Sequence, residues 1–76
     1  MTLHEFIGLT EKEQTEAIWH GSFFLWREEF EHTVLLYKLY SFYVEVYYCN
    51  ETNQITRLNP FNSKKRLELY FALQLN

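Results

Sequence analysis

The residues of this chain best suited to proton transfer or metal ligation are His4, His20 and His32, and no two of them stand three or four apart. His4 falls within a helical stretch and His32 at the start of a strand. His20 falls at a helix end, where the helix dipole favours a cation. No catalytic or metal-binding role is assigned to any of them. Glu28, Glu29, Glu31 and His32 form the one dense titratable group. Crowded carboxylates can hold a cation or raise one another's pKa. A solvated hairpin loop also accounts for them, with charges that deter edge pairing. Phe30 at its tip either folds back on the sheet or stands out as an anchor. Cys49 is the single thiol; no base is placed beside it, so it reads as a small packing residue at a strand end.

Glu45 is the more unusual carboxylate, lying between Val44 and Val46 in the middle of a strand pattern. Lys38 or Arg57 on the flanking strands is expected to pair with it, giving a structural ion pair within an apolar face. Lys64-Lys65-Arg66 stands at the start of a helix, where free amides hold anions; a solvated first turn explains the run equally well. With Gly8 and Gly21 the only glycines, no glycine-rich loop exists to cradle a nucleotide, and no cofactor is expected. Aromatic residues on a sheet suggest a stacking platform for RNA or single strands. The net charge of −3, from ten acidic and seven basic residues, argues against nucleic acid as a partner.

Seventy-six residues make one domain, 1–76, near the lower limit for a self-sufficient core. Net stability at that size is roughly 4–11 kcal/mol. One cysteine allows no intrachain disulfide, and no Cys/His pattern resembles a zinc site. Folding must therefore rest on the aromatic fifth of the composition, helped by dimerisation. MTLHEFIGLT lacks the features of a signal peptide, and no apolar run is long enough to span a membrane. A cytoplasmic protein without membrane contact is expected, and an unpaired cysteine fits that compartment.

The elements that position these residues follow from capping and turn chemistry. Thr2 precedes Glu5, and Thr10 precedes Glu13, by the spacing of a capping box. They predict a short helix over 3–8 and a second over 11–20, with Gly21 as a left-handed C-cap. SFFLWR, HTVLLYKLY, FYVEVYYC and QITRLNPF then read as four strands. Ser63 caps a last helix over 64–75, with Leu67, Tyr70, Phe71 and Gln74 on one stripe and Leu69 and Leu73 on an adjoining one. The fold class is α+β: an N-terminal helical pair, a four-stranded antiparallel meander and a C-terminal helix.

Hairpin geometry sorts the strand residues onto faces, because directly paired residues point the same way. The chain fits a two-residue turn at Tyr40-Ser41, a four-residue loop over 28–31 and a three-residue loop over 51–53 with Asn53 left-handed. They place Phe24, Trp26, Leu35, Tyr37, Leu39, Phe42, Val44, Val46 and Leu58 on a first face, expected to lie under the helices. The second face receives Phe23, Leu25, Val34, Leu36, Tyr43, Tyr47 and Ile55, broken by Arg27, Lys38, Glu45 and Arg57. So apolar a face exceeds what a monomer normally exposes. Phe23, Leu25, Val34, Leu36, Tyr43 and Tyr47 are therefore the candidate protein-interaction site. Leu36→Lys is expected to weaken association without unfolding the monomer, whereas Val44→Lys unfolds it.

MTLHEFIGLTEKEQTEAIW, LLYKLYSFYVEVYY and ITRLNPF together resemble a group of short, uncharacterised bacterial proteins. The resemblance spans most of the chain and implies a free-standing small cytoplasmic protein; no activity, site or cofactor comes with it. The expected function is a non-catalytic protein–protein interaction module, most simply a homodimer through the second face. The alternative is a small regulatory inhibitor or accessory protein, of toxin–antitoxin or phage-defence type, that captures a heterologous partner.

Overall fold

A computed structural model describes the backbone of residues 1–74 and side chains through Phe71, so the expected placement of the Leu73 and Gln74 side chains, and of Leu75 as the last helical residue, lies outside what is described. The order is α1 (Leu3–Ile7), α2 (Glu11–Trp19), β1 (Ser22–Glu29), β2 (His32–Leu39), β3 (Phe42–Cys49), β4 (Gln54–Phe61) and α3 (Lys64–Gln74). The strands form one antiparallel sheet in the order β1-β2-β3-β4, the meander that the spacing of turn residues predicts. Both capping boxes form: the Thr2 hydroxyl accepts from the Glu5 amide while the Thr2 amide donates to Glu5, and Thr10 and Glu13 repeat the exchange.

The central hairpin has the expected register, from Leu39 opposite Phe42 to Thr33 opposite Tyr48. Tyr40 takes φ 55 and Asn53 φ 57, the left-handed geometry that reverses the chain. The β1–β2 connection is tighter than a loop over 28–31. Glu29 pairs with His32, so the turn is Phe30-Glu31 alone, with Phe30 at φ 54 and almost fully exposed at the tip.

Two bulges correct the face assignment. The extra residue between Phe23 and Leu25 sets Phe23 opposite Tyr37, so Phe23 lies on the first face and its ring meets Tyr37 at 5.6 Å. Phe24 turns instead to Tyr43 on the second face. A bulge at Tyr47–Tyr48 pairs Ile55 with Tyr48, and Ile55 also moves to the first face. An inserted residue shifts the two-residue side-chain alternation by one for everything beyond it.

The helices divide between the faces. On the first face α1 lies against β4 and α2 against β2. Their buried Phe6 and Ile18 close over Leu39, Phe42, Val44 and Val46. The expectation that every helix sits there fails, because α3 crosses the second face and buries Tyr70 against Leu36 and Phe61, with Leu25, Tyr43 and Leu67 around them. The result is three layers, helix–sheet–helix, in which Val34 and Leu36 are as deeply buried as Val44. Gly21 is also not a left-handed cap, since no glycine has positive φ. Close approach requires a glycine there, because a Cβ would sit 2.8 Å from the Lys38 carbonyl oxygen.

Candidate functional site

Glu45 lies at the centre of the second face, 0% exposed and directly opposite Leu36 on one side and Asn59 on the other. A carboxylate removed from water is costly unless its lone pairs are met. Four donors meet them. Asn59 Nδ2 donates to Oε1 at 2.7 Å and Arg66 Nε to the same oxygen at 2.9 Å; the Tyr70 hydroxyl donates to Oε2 at 2.5 Å and Arg27 Nη2 at 3.2 Å. The Tyr47 hydroxyl accepts from Arg66 at 3.0 Å and from Arg27 at 3.4 Å, and Arg27 also pairs with Glu29. The guanidinium of Arg27 lies 5.5 Å from the Tyr70 ring centre, a further favourable contact for its charge. Among the described side chains, Arg27 Nε alone is a buried polar atom without a partner.

The electrostatics follow from this packing. Burial opposes ionisation of Glu45, but the bonds from Tyr70, Asn59, Arg66 and Arg27 outweigh it and hold the carboxyl below its ordinary value. Burial, reinforced by the hydrogen bond to Glu45, pushes the Tyr70 hydroxyl up, so it remains a donor. Glu29 and Glu45 balance Arg27 and Arg66 in charge, and all the acceptor positions of the Glu45 carboxylate are occupied. The cluster is a tie between β1, β3, β4 and α3.

Glu45 forms an ion pair within the second face, as its place in the sequence suggests, but with cations other than the expected Lys38 or Arg57. Lys38 extends to the Tyr43 ring and Arg57 to the Tyr47 ring, 5.2 Å from its centre, and neither reaches Glu45. The true partners are Arg27, two strands away, and Arg66, taken from a run that reads as solvated. Lys64 and Lys65 remain solvated. The missed signal was the spacing of Arg66 and Tyr70, four apart and thus on one face of α3, together with Asn59 opposite Glu45.

The other candidates disperse. Glu28 accepts hydrogen bonds from Thr33 and Asn50. The Thr52 hydroxyl, aided by the amides of Thr52 and Glu51, holds the Cys49 thiol below its ordinary pKa, and the thiol stays unpaired. Among the described residues no group of three His, Cys, Asp or Glu is placed to hold a metal ion, and no helix is long and apolar enough to cross a membrane.

The six candidate interaction residues separate in the same way. Val34, Leu36 and Tyr47 are buried in the second face beneath or beside α3, Leu25 and Tyr43 are half-buried at its margin, and Phe23 lies on the opposite face. Exposed aromatic surface gathers around β1 instead: Trp26 is 59% exposed, Trp19 55%, Phe23 51% and Phe24 45%. Trp19 and Phe23 both meet Tyr37 edge-on, at 5.7 and 5.6 Å, forming one aromatic rim. Neither a protein-family model, nor a curated protein, nor a solved structure matches the chain.

Proposed function

We propose that this chain is a small non-catalytic protein-interaction module, acting in the cytoplasm, whose contact surface is the aromatic rim around β1. The observation that carries this reading is four aromatic side chains, each about half exposed, gathered on and beside a single strand. Clustered exposed apolar surface marks contact sites, and aromatic residues dominate the centres of interfaces. The Glu45 cluster supports a non-catalytic reading, because its carboxylate is sealed from solvent and fully bonded.

The test is stoichiometric capture from the producing cells, with wild type and a Trp19→Ala/Trp26→Ala variant as bait, each checked for folding by circular dichroism. Wild type is expected to retain a protein partner that the variant releases. Retention of a second copy fits an assembling module, and a different protein fits a regulatory inhibitor or accessory role. Equal recovery by both baits, or by neither, overturns the reading.

A further inference from the structure

We infer that the occupant of the aromatic rim is a second copy of the chain, added antiparallel along β1 so that two four-stranded sheets become one of eight. The inference rests on the rim being a contact surface and deepens that reading by naming the partner.

The two open edges of the sheet differ in kind. β4 carries Pro60, which has no amide to donate, and exposed Arg57, both features that block strand addition. β1 runs for eight residues from Ser22 to Glu29 with no proline, and its own edge-guarding features, the bulge near Phe24 and the acidic Glu28-Glu29, lie toward its two ends. It exposes apolar rings on both sides of the sheet, Phe23 and Trp26 on one and Phe24 on the other.

The charges along β1 select the direction. Glu28 and Glu29 lie at one end; at the other, Ser22 pairs with exposed Lys38 of β2. A parallel arrangement would stack the acidic ends on each other, which is unfavourable. In an antiparallel pair, a two-fold axis normal to the sheet at Trp26 sets Trp26 against its own counterpart and Leu25 against Arg27. Because the bulge supplies one extra residue, Phe23 and Phe24 together oppose Glu28, and Ser22 opposes Glu29. Side chains then match face for face along the whole strand, as a continuous sheet requires. The acidic end of each copy then meets the uncharged Ser22 end of the other, with Lys38, whose ammonium lies over the Tyr43 ring, one strand behind it.

The area is consistent with a dimer. At about 150–250 Å² per buried aromatic, the exposed parts of Phe23, Phe24 and Trp26 supply roughly 300 Å². A standard interface takes about 800 Å² per partner, and the open backbone of the strand, Leu25 and the polar ends contribute toward the remainder.

The experiment is a dilution series by size-exclusion chromatography with light scattering, alongside hydrogen exchange of the β1 amides. Wild type is expected to dimerise, with β1 amides that gain protection as concentration rises. Trp26→Glu should weaken the dimer about 30-fold or more, as removal of a central aromatic contact does. Lys38→Glu, at an exposed position, should weaken it severalfold, and added salt should erase that difference. Ile7→Glu, exposed on α1 away from β1, should leave it unchanged. A monomer at every concentration, a dimer indifferent to both Trp26→Glu and Lys38→Glu, or one lost with Ile7→Glu overturns the second-copy assignment. If the chain is monomeric while the Trp19→Ala/Trp26→Ala variant loses a different captured protein, the contact-surface reading stands and only the occupant is wrong. If changes to the rim alter neither self-association nor capture, both fall.

Discussion

At Glu45, four donors hold one carboxylate, and the energetic consequence is asymmetric. Replacing an entire buried ion cluster with apolar residues can be neutral, but removing one member leaves the opposite charge stranded. Glu45→Gln keeps the volume and brings an amide nitrogen among donors, with Arg27 still largely buried beside it. The expected cost is about 3–5 kcal/mol, read from the urea midpoint, a large part of the stability of so small a domain. The sign of the pH dependence follows from the direction of the shifts. Glu45 is held below its ordinary 4.5, so its contribution is fully present above that pH and is lost as pH falls through the lower folded value. Tyr70 is pushed above its ordinary 10, so its contribution is complete below that pH and is lost as pH rises toward the higher folded value. Stability is expected to fall outside these limits, on both the acid and the alkaline side. Glu45→Gln should shrink the acid-side loss without abolishing it, because the bonds from Thr2 and Thr10 also hold Glu5 and Glu13 below their ordinary values. An acid limb unchanged by the substitution would assign the loss to other carboxylates.

At the level of the hairpins, turn length and left-handed residues determine which side chains share a face. Tyr40 at φ 55 and Phe30 at φ 54 occupy a conformation that costs an ordinary residue about 1–2 kcal/mol, although both side chains stand in solvent. Tyr40→Gly is therefore expected to raise stability by about 0.5–1 kcal/mol, since the glycine's extra freedom in the unfolded chain offsets part of the relief. A denaturation midpoint that falls would mean that the exposed ring contributes packing outweighing its backbone strain. These turns also show what was readable in the sequence. The Tyr40-Ser41 turn and left-handed Asn53 follow from alternation and residue type, and the β2–β3 register came with them. The bulges did not, because Phe23-Phe24 offers two equivalent rings and nothing in the chain says which one belongs to which face. Two inserted residues, one in each outer hairpin, moved Phe23 and Ile55 across the sheet, and Phe23 took part of the candidate contact surface with it.

For the whole molecule, apolar residues at both parities correctly signal a sheet that must be covered on both sides. Pairing rules determine which residues share a face but not where a helix lands. The tie that settles it, Arg66 to Glu45, joins residues 21 apart in the chain and draws its cation from a run that resembles a solvated turn. The layer that the second face requires is thus supplied by α3, and the expectation that Leu36→Lys leaves the monomer folded no longer holds. Leu36 and Val44 are both 0% exposed, on opposite faces of one sheet. A lysine at either site is buried without a carboxylate to meet it, since Glu45 already has its full set of donors. Each substitution is expected to cost more than about 4 kcal/mol, within reach of the entire stability. Circular dichroism and urea titration should show Leu36→Lys and Val44→Lys unfolding to a similar extent. Contrary evidence would be a folded Leu36→Lys protein in which hydrogen exchange loses protection only over α3, while Val44→Lys unfolds completely. The second face would then be an accessory layer, and the first face alone would hold the fold.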